Sequence, residues 1–543
     1  MNKPSERSVS DIQVDRNSRP YLYRLTLVAT LGGLLFGYDT AVVSGAVSAL
    51  REYFVIPLSL DTHLAEGVIN GYRITICLAV IIICIAVAGM LVRLFSWKRG
   101  LTFSAFIILV AAIILIWQFS RPLNITGNTV NAITGFTVSS ALIGCIVGGS
   151  TAGFISLSLG RKKGLMLSAF LFLISGLGAG FPEKMGIFGM QPLVSFIFYR
   201  ILGGIGIGLA SMLSPMYIAE IAPAGIRGKL VSWNQFAIVS GMLIVYFVNW
   251  FIARQGDDQW NITTGWRWMF LSGVIPSFIF LILLLFIPET PRFLAIKRKP
   301  GLALDVLRKT VGKREAEASL KEINETLSDS GSHWLSFGSL VIIISIVLAA
   351  FQQLVGVNAV LYYAPRIFQN TGTRLDVSLL QTILVGAVNL IFTVVAILSV
   401  DKMGRKSLLI IGGSIMGLAM AGIGFSFYAG SLGMTALIFI LIYIAGFAMS
   451  WGPVMWVVLS EIFPNSIRGA MSIATATVWI TDLIVSWSFP VLDDNAWLVE
   501  QFNHGFAYWI YALICFAALF FVWKVVPETK GKTLEQIEKL WKK

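Results

Sequence analysis

"YIAEIAPAGIRG", residues 217–228, returns as "VLSEIFPNSIRG" at 458–469, and the spacing of seven between Glu220 and Arg227 is kept between Glu461 and Arg468. Two further echoes share the offset of about 240 residues: "GRKKG" at 160 with "GRKS" at 404, and "PETPR" at 288 with "PETKG" at 527. The chain therefore reads as two related halves in parallel order. Long apolar runs fill both. Two repeats that rock against each other around a site near the bilayer midplane are the architecture of a secondary transporter.

Composition agrees. The chain is 56% hydrophobic and 13% charged, with a mean hydropathy of +0.80, against roughly 45–50% apolar and 25% charged for soluble domains. A net charge of +13 suggests nucleic acid in a soluble protein, but here the basic residues sit in short loops between apolar runs, so nucleic acid is set aside. Cys77, Cys84, Cys145 and Cys515 all fall inside apolar runs and form neither a disulfide framework nor a metal-ligand spacing. No metal or cofactor is expected. His63, His333 and His504 lie outside the spans with no nucleophile beside them, which disfavours an enzyme. The first twenty residues mix acids and bases with no apolar core, so the first apolar run serves as the insertion signal.

About fourteen runs are long enough to span, at 25–49, 74–92, 101–118, 132–158, 164–181, 193–220, 230–252, 267–287, 337–363, 376–400, 407–428, 434–459, 470–490 and 505–526. Inside a bilayer such runs are helices, because the backbone has no other hydrogen-bond partner there. The alternate loops "RLFSWKRG", "GRKKG", "IRGK", "DKMGRK" and "NSIRG" hold twelve Lys or Arg. Those loops are predicted to be cytoplasmic, as are both termini. The expected organisation is a cytoplasmic tail (1–20), an N-terminal transmembrane half (21–287), a charged cytoplasmic helical linker (288–335), a C-terminal transmembrane half (336–527) and a cytoplasmic tail (528–543).

"GGLLFGYDT", "GRKK", "PETPRFL", "QQLVGVNAVLYYAP", "SWGPVMWVVLSEIFPNSIRG" and "VPETKGKTLEQIE" together resemble the sugar porter family of the major facilitator superfamily, and within it the bacterial xylose–proton symporters. The resemblance covers about 22–50 and 132–541. It implies two six-helix halves, and residues 51–131 are expected to be a two-helix insert between the family's helices 1 and 2.

Asp39 stands halfway along the first span, where an ionisable residue usually faces a cavity and marks an ion path. Arg200, in "FYRILGGIGIG", is the one buried-looking base in the N-terminal half, and the resemblance implies that the two couple protons. "FQQLVGVNAVLYY" supplies Gln352, Gln353, Asn358 and Tyr362, polar groups suited to sugar hydroxyls. In a straight helix Gln353 and Asn358 diverge by about 140°, so Gly356 between them is expected to unwind the chain locally. The resemblance adds Gln235 and Trp456 as sugar contacts, with Phe36 and Gly452 lining the cavity and Trp479 near it.

Several positions depart from the family pattern. Relatives place glutamine at Val478 and at Met242, which suggests a substrate other than xylose, and an acid at Gly273. Asp482, one helical turn beyond Val478, occupies the place of an uncharged amide. It either partly replaces the lost polar group, is a second titratable site, or is a protonated or water-solvated bystander at the cavity mouth. Glu220, Arg227, Glu461, Arg468, Arg161 and Arg405 sit at cytoplasmic helix ends, and the resemblance makes them a latch between the halves. Relatives carry an acid at Leu157 in one of these loops, so the latch here is expected to be weaker.

The function expected is uptake of a monosaccharide, a pentose or hexose, together with a proton across a bacterial inner membrane, by a protein working as a monomer in the lipid bilayer. A facilitative uniporter is the alternative, and Asp39 argues against it, because facilitative relatives tend to be uncharged there. A non-transporting sensor, expected to carry a long cytoplasmic extension, ranks third.

Overall fold

The structure is a computed structural model and describes residues 18–59, 62–94, 97–120, 126–186, 189–328, 339–431, 433–463 and 471–530. Every regular element among the described residues is helical. The first half contains α1 (Arg19–Leu50), α2 (Thr62–Leu94), α3 (Trp97–Ser120), α4 (Gly127–Ser158), α5 (Arg161–Gly180), α6 (Pro192–Ile221), α7 (Ala224–Ala253), the single turn α8 (Asp258–Trp260), α9 (Trp266–Ser272) and α10 (Val274–Leu285). Linker helices α11 (Pro291–Ile296), α12 (Pro300–Thr310) and α13 (Lys313–Ser328) follow. The second half contains α14 (Leu340–Leu354), α15 (Val357–Gln369), α16 (Leu375–Met403), α17 (Arg405–Tyr428), α18 (Met434–Ala448), α19 (Val454–Ile462), α20 (Met471–Asp493), α21 (Ala496–Phe502) and α22 (Phe506–Val525).

Eleven described stretches are long and apolar enough to cross a membrane. The fourteen expected are not reached among the described residues. The run at 434–459 is broken at residues 449–453, which leaves α18 with 15 residues. In the α2–α3 hairpin, the described apolar stretch Gly100–Ile113 is shorter than a full crossing. Tyr72 of α2 meets the Phe136 ring edge-on, with centroids 5.0 Å apart, so the hairpin leans on α4. Phe154, Phe286 and Leu513 are 74%, 79% and 70% exposed on the outside of the bundle. Large apolar side chains presented outward in this way suit a lipid solvent.

The two "GRK" echoes fold alike. Gly160 and Gly404 have φ of +94° and +91° and precede α5 and α17. A Cβ at Gly160 would lie 2.3 Å from Glu289 Oε2, and one at Gly404 would lie 2.9 Å from Glu528 Oε2, so glycine serves both the turn and the close approach.

Described polar bonds between the halves cluster at the face opposite the basic loops. Ser48 Oγ donates to Gln369 Oε1 at 2.8 Å, Asn131 Nδ2 to the Asp494 carbonyl at 3.0 Å, and Trp487 Nε1 to the Ala132 carbonyl at 3.0 Å. At the basic face, the described ion pairs each join helices of one half. The described polar bonds therefore close the molecule at the face opposite the basic loops.

Candidate substrate and proton sites

Asp39 is carried by α1 and Arg200 by α6. Arg200 Nη1 donates to both Asp39 carboxylate oxygens at 3.0 Å, and Nη2 donates to the Asp39 carbonyl at 3.1 Å. Arg200 is 1% exposed and Asp39 16%. The guanidinium lies over the Phe270 ring, 5.3 Å from its centroid. Ser175 Oγ is buried beside Gly203, and a Cβ at Gly203 would stand 3.3 Å from Asp39 Oδ2. Removing either charge strands the other in a buried place, which costs about 3–5 kcal/mol. Sequence reading did not mark Phe270 or Ser175, since neither belongs to a motif. Gly273, where relatives carry an acid, is close to the Tyr38 ring, and Tyr38 Oη is 2.7 Å from Ser272 Oγ.

The second centre is built on a broken helix. α14 stops at Leu354, Gly356 takes the left-handed conformation with φ +90° and ψ +16°, and α15 starts at Val357. The break brings the side chains on either side together. Asn358 Nδ2 donates to Gln353 Oε1 at 2.9 Å, and Gln353 Nε2 donates to Gln352 Oε1 at 2.9 Å. A straight helix forbids this convergence. One helical turn into α15, Tyr362 Oη donates to Asp482 Oδ2 at 3.4 Å, and Ser486 Oγ donates to Asp482 Oδ1 at 2.9 Å. Asp482 has 0% exposure, so it is not a solvated group at a cavity mouth. Packing of α20 against α4 and α15 seals it from water.

Phe36 and Trp479 face each other across the halves, with centroids 5.6 Å apart and planes at 53°. Trp479 Nε1 is buried and unpartnered, and Val478 on the same helix is buried. Gln235 and Met242 lie two turns apart on one face of α7, Gln235 half-buried and Met242 buried. Trp456 of α19 is half-buried against the core, and Gly452 lies in the break between α18 and α19. No described hydrogen bond ties Gln235 to the amide chain of α14 and α15.

At the basic face, Arg161 Nη2 pairs with Glu220 Oε1 at 2.6 Å, and Arg405 Nη2 pairs with Glu461 Oε1 at 2.9 Å. Each of these described pairs lies within its own half. Each arginine opens the helix that follows a "GRK" turn, Arg161 on α5 facing Glu220 of α6 and Arg405 on α17 facing Glu461 of α19. Arg227 Nε reaches the Ala222 carbonyl at 3.4 Å, and Arg468 lies outside the described residues. Leu157, where relatives carry an acid, is exposed.

The glutamates of the "PET" echoes have a part that sequence reading did not assign. Glu289 accepts from the backbone N–H of Arg161 and Lys162, and Glu528 from that of Arg405 and Lys406. A carboxylate at a helix N-terminus satisfies orphan donors and meets the positive end of the helix dipole. Burial pushes Glu289 above the ordinary carboxylate range in spite of these donors. At the more exposed Glu528 burial also opposes the charge, but the N–H groups of Lys530, Arg405, Lys406 and Thr529 outweigh it and carry the group below that range. The equal offset of the "PET" echoes was the available signal.

Three comparisons bear on this arrangement. The family described as "Sugar (and other) transporter" matches residues 25–131 and 119–541, the first stretch running through the α2–α3 hairpin. The D-xylose-proton symporter of Escherichia coli (strain K12) is 47% identical over 536 residues, covering 96% of each chain. The glucose facilitated diffusion protein of Zymomonas mobilis is 36% identical, covering 97% of this chain and 98% of its own. The arabinose-proton symporter of Bacillus subtilis is 34% identical, covering 97% and 96%. A solved structure of the E. coli xylose transporter, in a partially occluded inward-open conformation, superposes with a TM-score of 0.76 at 44% identity, covering 95% of this chain and all of that one. Two halves of helices, the paired Asp39 and Arg200, and the broken helix carrying its amides thus sit in a chain that belongs to the sugar transporter family of the major facilitator superfamily.

Proposed function

We propose that this protein takes up a monosaccharide, a pentose or hexose of xylose-like form, together with a proton, by alternating access. The observation that carries the reading is the Arg200–Asp39 pair: a carboxylate inside the membrane, both oxygens of which accept from one guanidinium nitrogen, and still 16% exposed. When the halves rock, the access of water to the α1–α6 pair changes the balance between pairing and solvation, and Asp39 takes up or releases a proton. Gln352, Gln353, Asn358 and Tyr362, with Gln235 and Trp456, contact the sugar. Val478 and Met242 narrow its polar contacts, and Phe36, Gly452 and Trp479 line the passage.

The polar bonds that close the face opposite the basic loops support an inward-facing arrangement with both termini in the cytoplasm of a bacterial cell. The α2–α3 hairpin is an added pair of spans, fourteen in all, and lies outside the transport path. A single copy contains every named group. The uniporter reading is weaker, because the relative described as facilitating glucose diffusion is less similar than the xylose–proton symporter.

The test is uptake of labelled xylose, arabinose and glucose into proteoliposomes with and without an imposed pH gradient. Uphill accumulation of one of them, driven by the gradient, is the expected result. In Asp39→Asn, accumulation is lost while exchange of sugar across the membrane persists. Full gradient-driven uptake in that variant would remove Asp39 from the proton path.

A further inference from the structure

Asp39 has a counter-cation, whereas Asp482 does not. Among the described residues no ion pair involves Asp482, which is 0% exposed. Its donors are the Ser486 hydroxyl, the Tyr362 phenol and the Asn358 amide. Asn358 also donates to Gln353, and Gln353 to Gln352, so this carboxylate ends the polar chain of the broken helix. The titratable side chains facing it are the Cys145 thiol from α4 and the phenols of Tyr362 and Tyr363 from α15. α14 carries none. Tyr508 and Tyr511 of α22 lie in the field of Asp493, farther along α20, and Arg366 of α15 is committed to Asp494. The nearest charge-neutralising agents for Asp482 are therefore donors and a proton.

We propose that Asp482 is a second proton-binding group and that its protonation sets sugar affinity through Asn358 and Tyr362. The proposal rests on the reading of the α14–α15 amides as sugar contacts. As an anion, Asp482 holds an N–H of Asn358 and the O–H of Tyr362, and these donors are withheld from a sugar. When the movement of the halves lets water reach α20, a proton binds one carboxylate oxygen, and both donors turn to sugar hydroxyls. Proton and sugar then favour one another's binding, as coupled uptake in one direction requires. The coupling works beside the sugar, whereas Asp39 and Arg200 act in the opposite half.

Affinity for xylose, arabinose and glucose, measured by calorimetry on the purified full chain from mildly acidic to mildly alkaline pH, tests this. In the parent, affinity is expected to weaken about five-fold toward alkaline pH, the worth of one hydrogen bond lost. Asp482→Asn keeps the shape of the neutral acid and is expected to hold the acidic-limit affinity throughout. Infrared difference spectra of the parent give a second readout that needs no variant to fold: sugar addition at neutral pH is expected to raise a protonated-carboxyl band. A parental slope in Asp482→Asn, a flat parent, or no such band overturns the proposal. If no sugar binds the parent at any pH, the underlying reading of the amides fails instead.

Discussion

Gln353 shows what one side chain carries. It accepts from Asn358 and donates to Gln352, both at 2.9 Å, and is 6% exposed. Gln353→Ala removes the middle of the chain and leaves the buried Gln352 amide oxygen without its donor, at about 1–3 kcal/mol. Sugar affinity is expected to fall by roughly five- to a hundred-fold, measured by calorimetry, with folding checked by the thermal melt. Sequence reading recognised Gln353 by residue type and by resemblance. It could not foresee Ser486 as a donor to Asp482, because a serine one turn away on an apolar helix is most often an interhelical contact.

At the scale of elements, the break between α14 and α15 depends on one backbone conformation. Gly356 has φ +90°, and a Cβ there would lie 2.7 Å from the Tyr511 ring. Gly356→Ala meets a left-handed penalty of about 1–2 kcal/mol and a clash with the ring. The expected outcome is a lower melting temperature together with weakened sugar binding, even though no sugar contact is removed. The two helix caps make an opposite pair. Glu528 is held below its ordinary range, so its stabilisation is present above the unfolded-state value and is lost as pH falls through the folded one. Glu528→Gln is therefore expected to lower the melting temperature at neutral pH, with the deficit shrinking on acidification. Glu289 is raised, so the folded state disfavours its charge at neutral pH. Glu289→Gln is expected to leave the neutral-pH melting temperature unchanged or higher.

For the whole molecule, the open question is the α2–α3 hairpin. It touches the first half through Tyr72 on Phe136 and through Gly71 against Val194, and Phe136 in turn packs on Trp487 of α20. Deleting residues 55–128 and rejoining the chain is expected to leave sugar affinity within about two-fold of the parent, by calorimetry on protein that elutes as a single species. Loss of binding in such protein places the hairpin in the transport path.

The sequence alone determined the solvent, the two-half plan and most of the polar positions, because hydropathy, loop charge and the offset of about 240 residues are written residue by residue. It also foresaw the unwinding at Gly356, since only glycine enters the left-handed region without strain. Tertiary structure alone decided the partners. It places Arg161 with Glu220 and Arg405 with Glu461 inside their own halves, closes the molecule at the face opposite the basic loops, and buries Asp482 completely. These outcomes depend on which helix faces which at distances of a few ångströms, and hydrophobic periodicity does not encode that when nearly every face of a membrane helix is apolar.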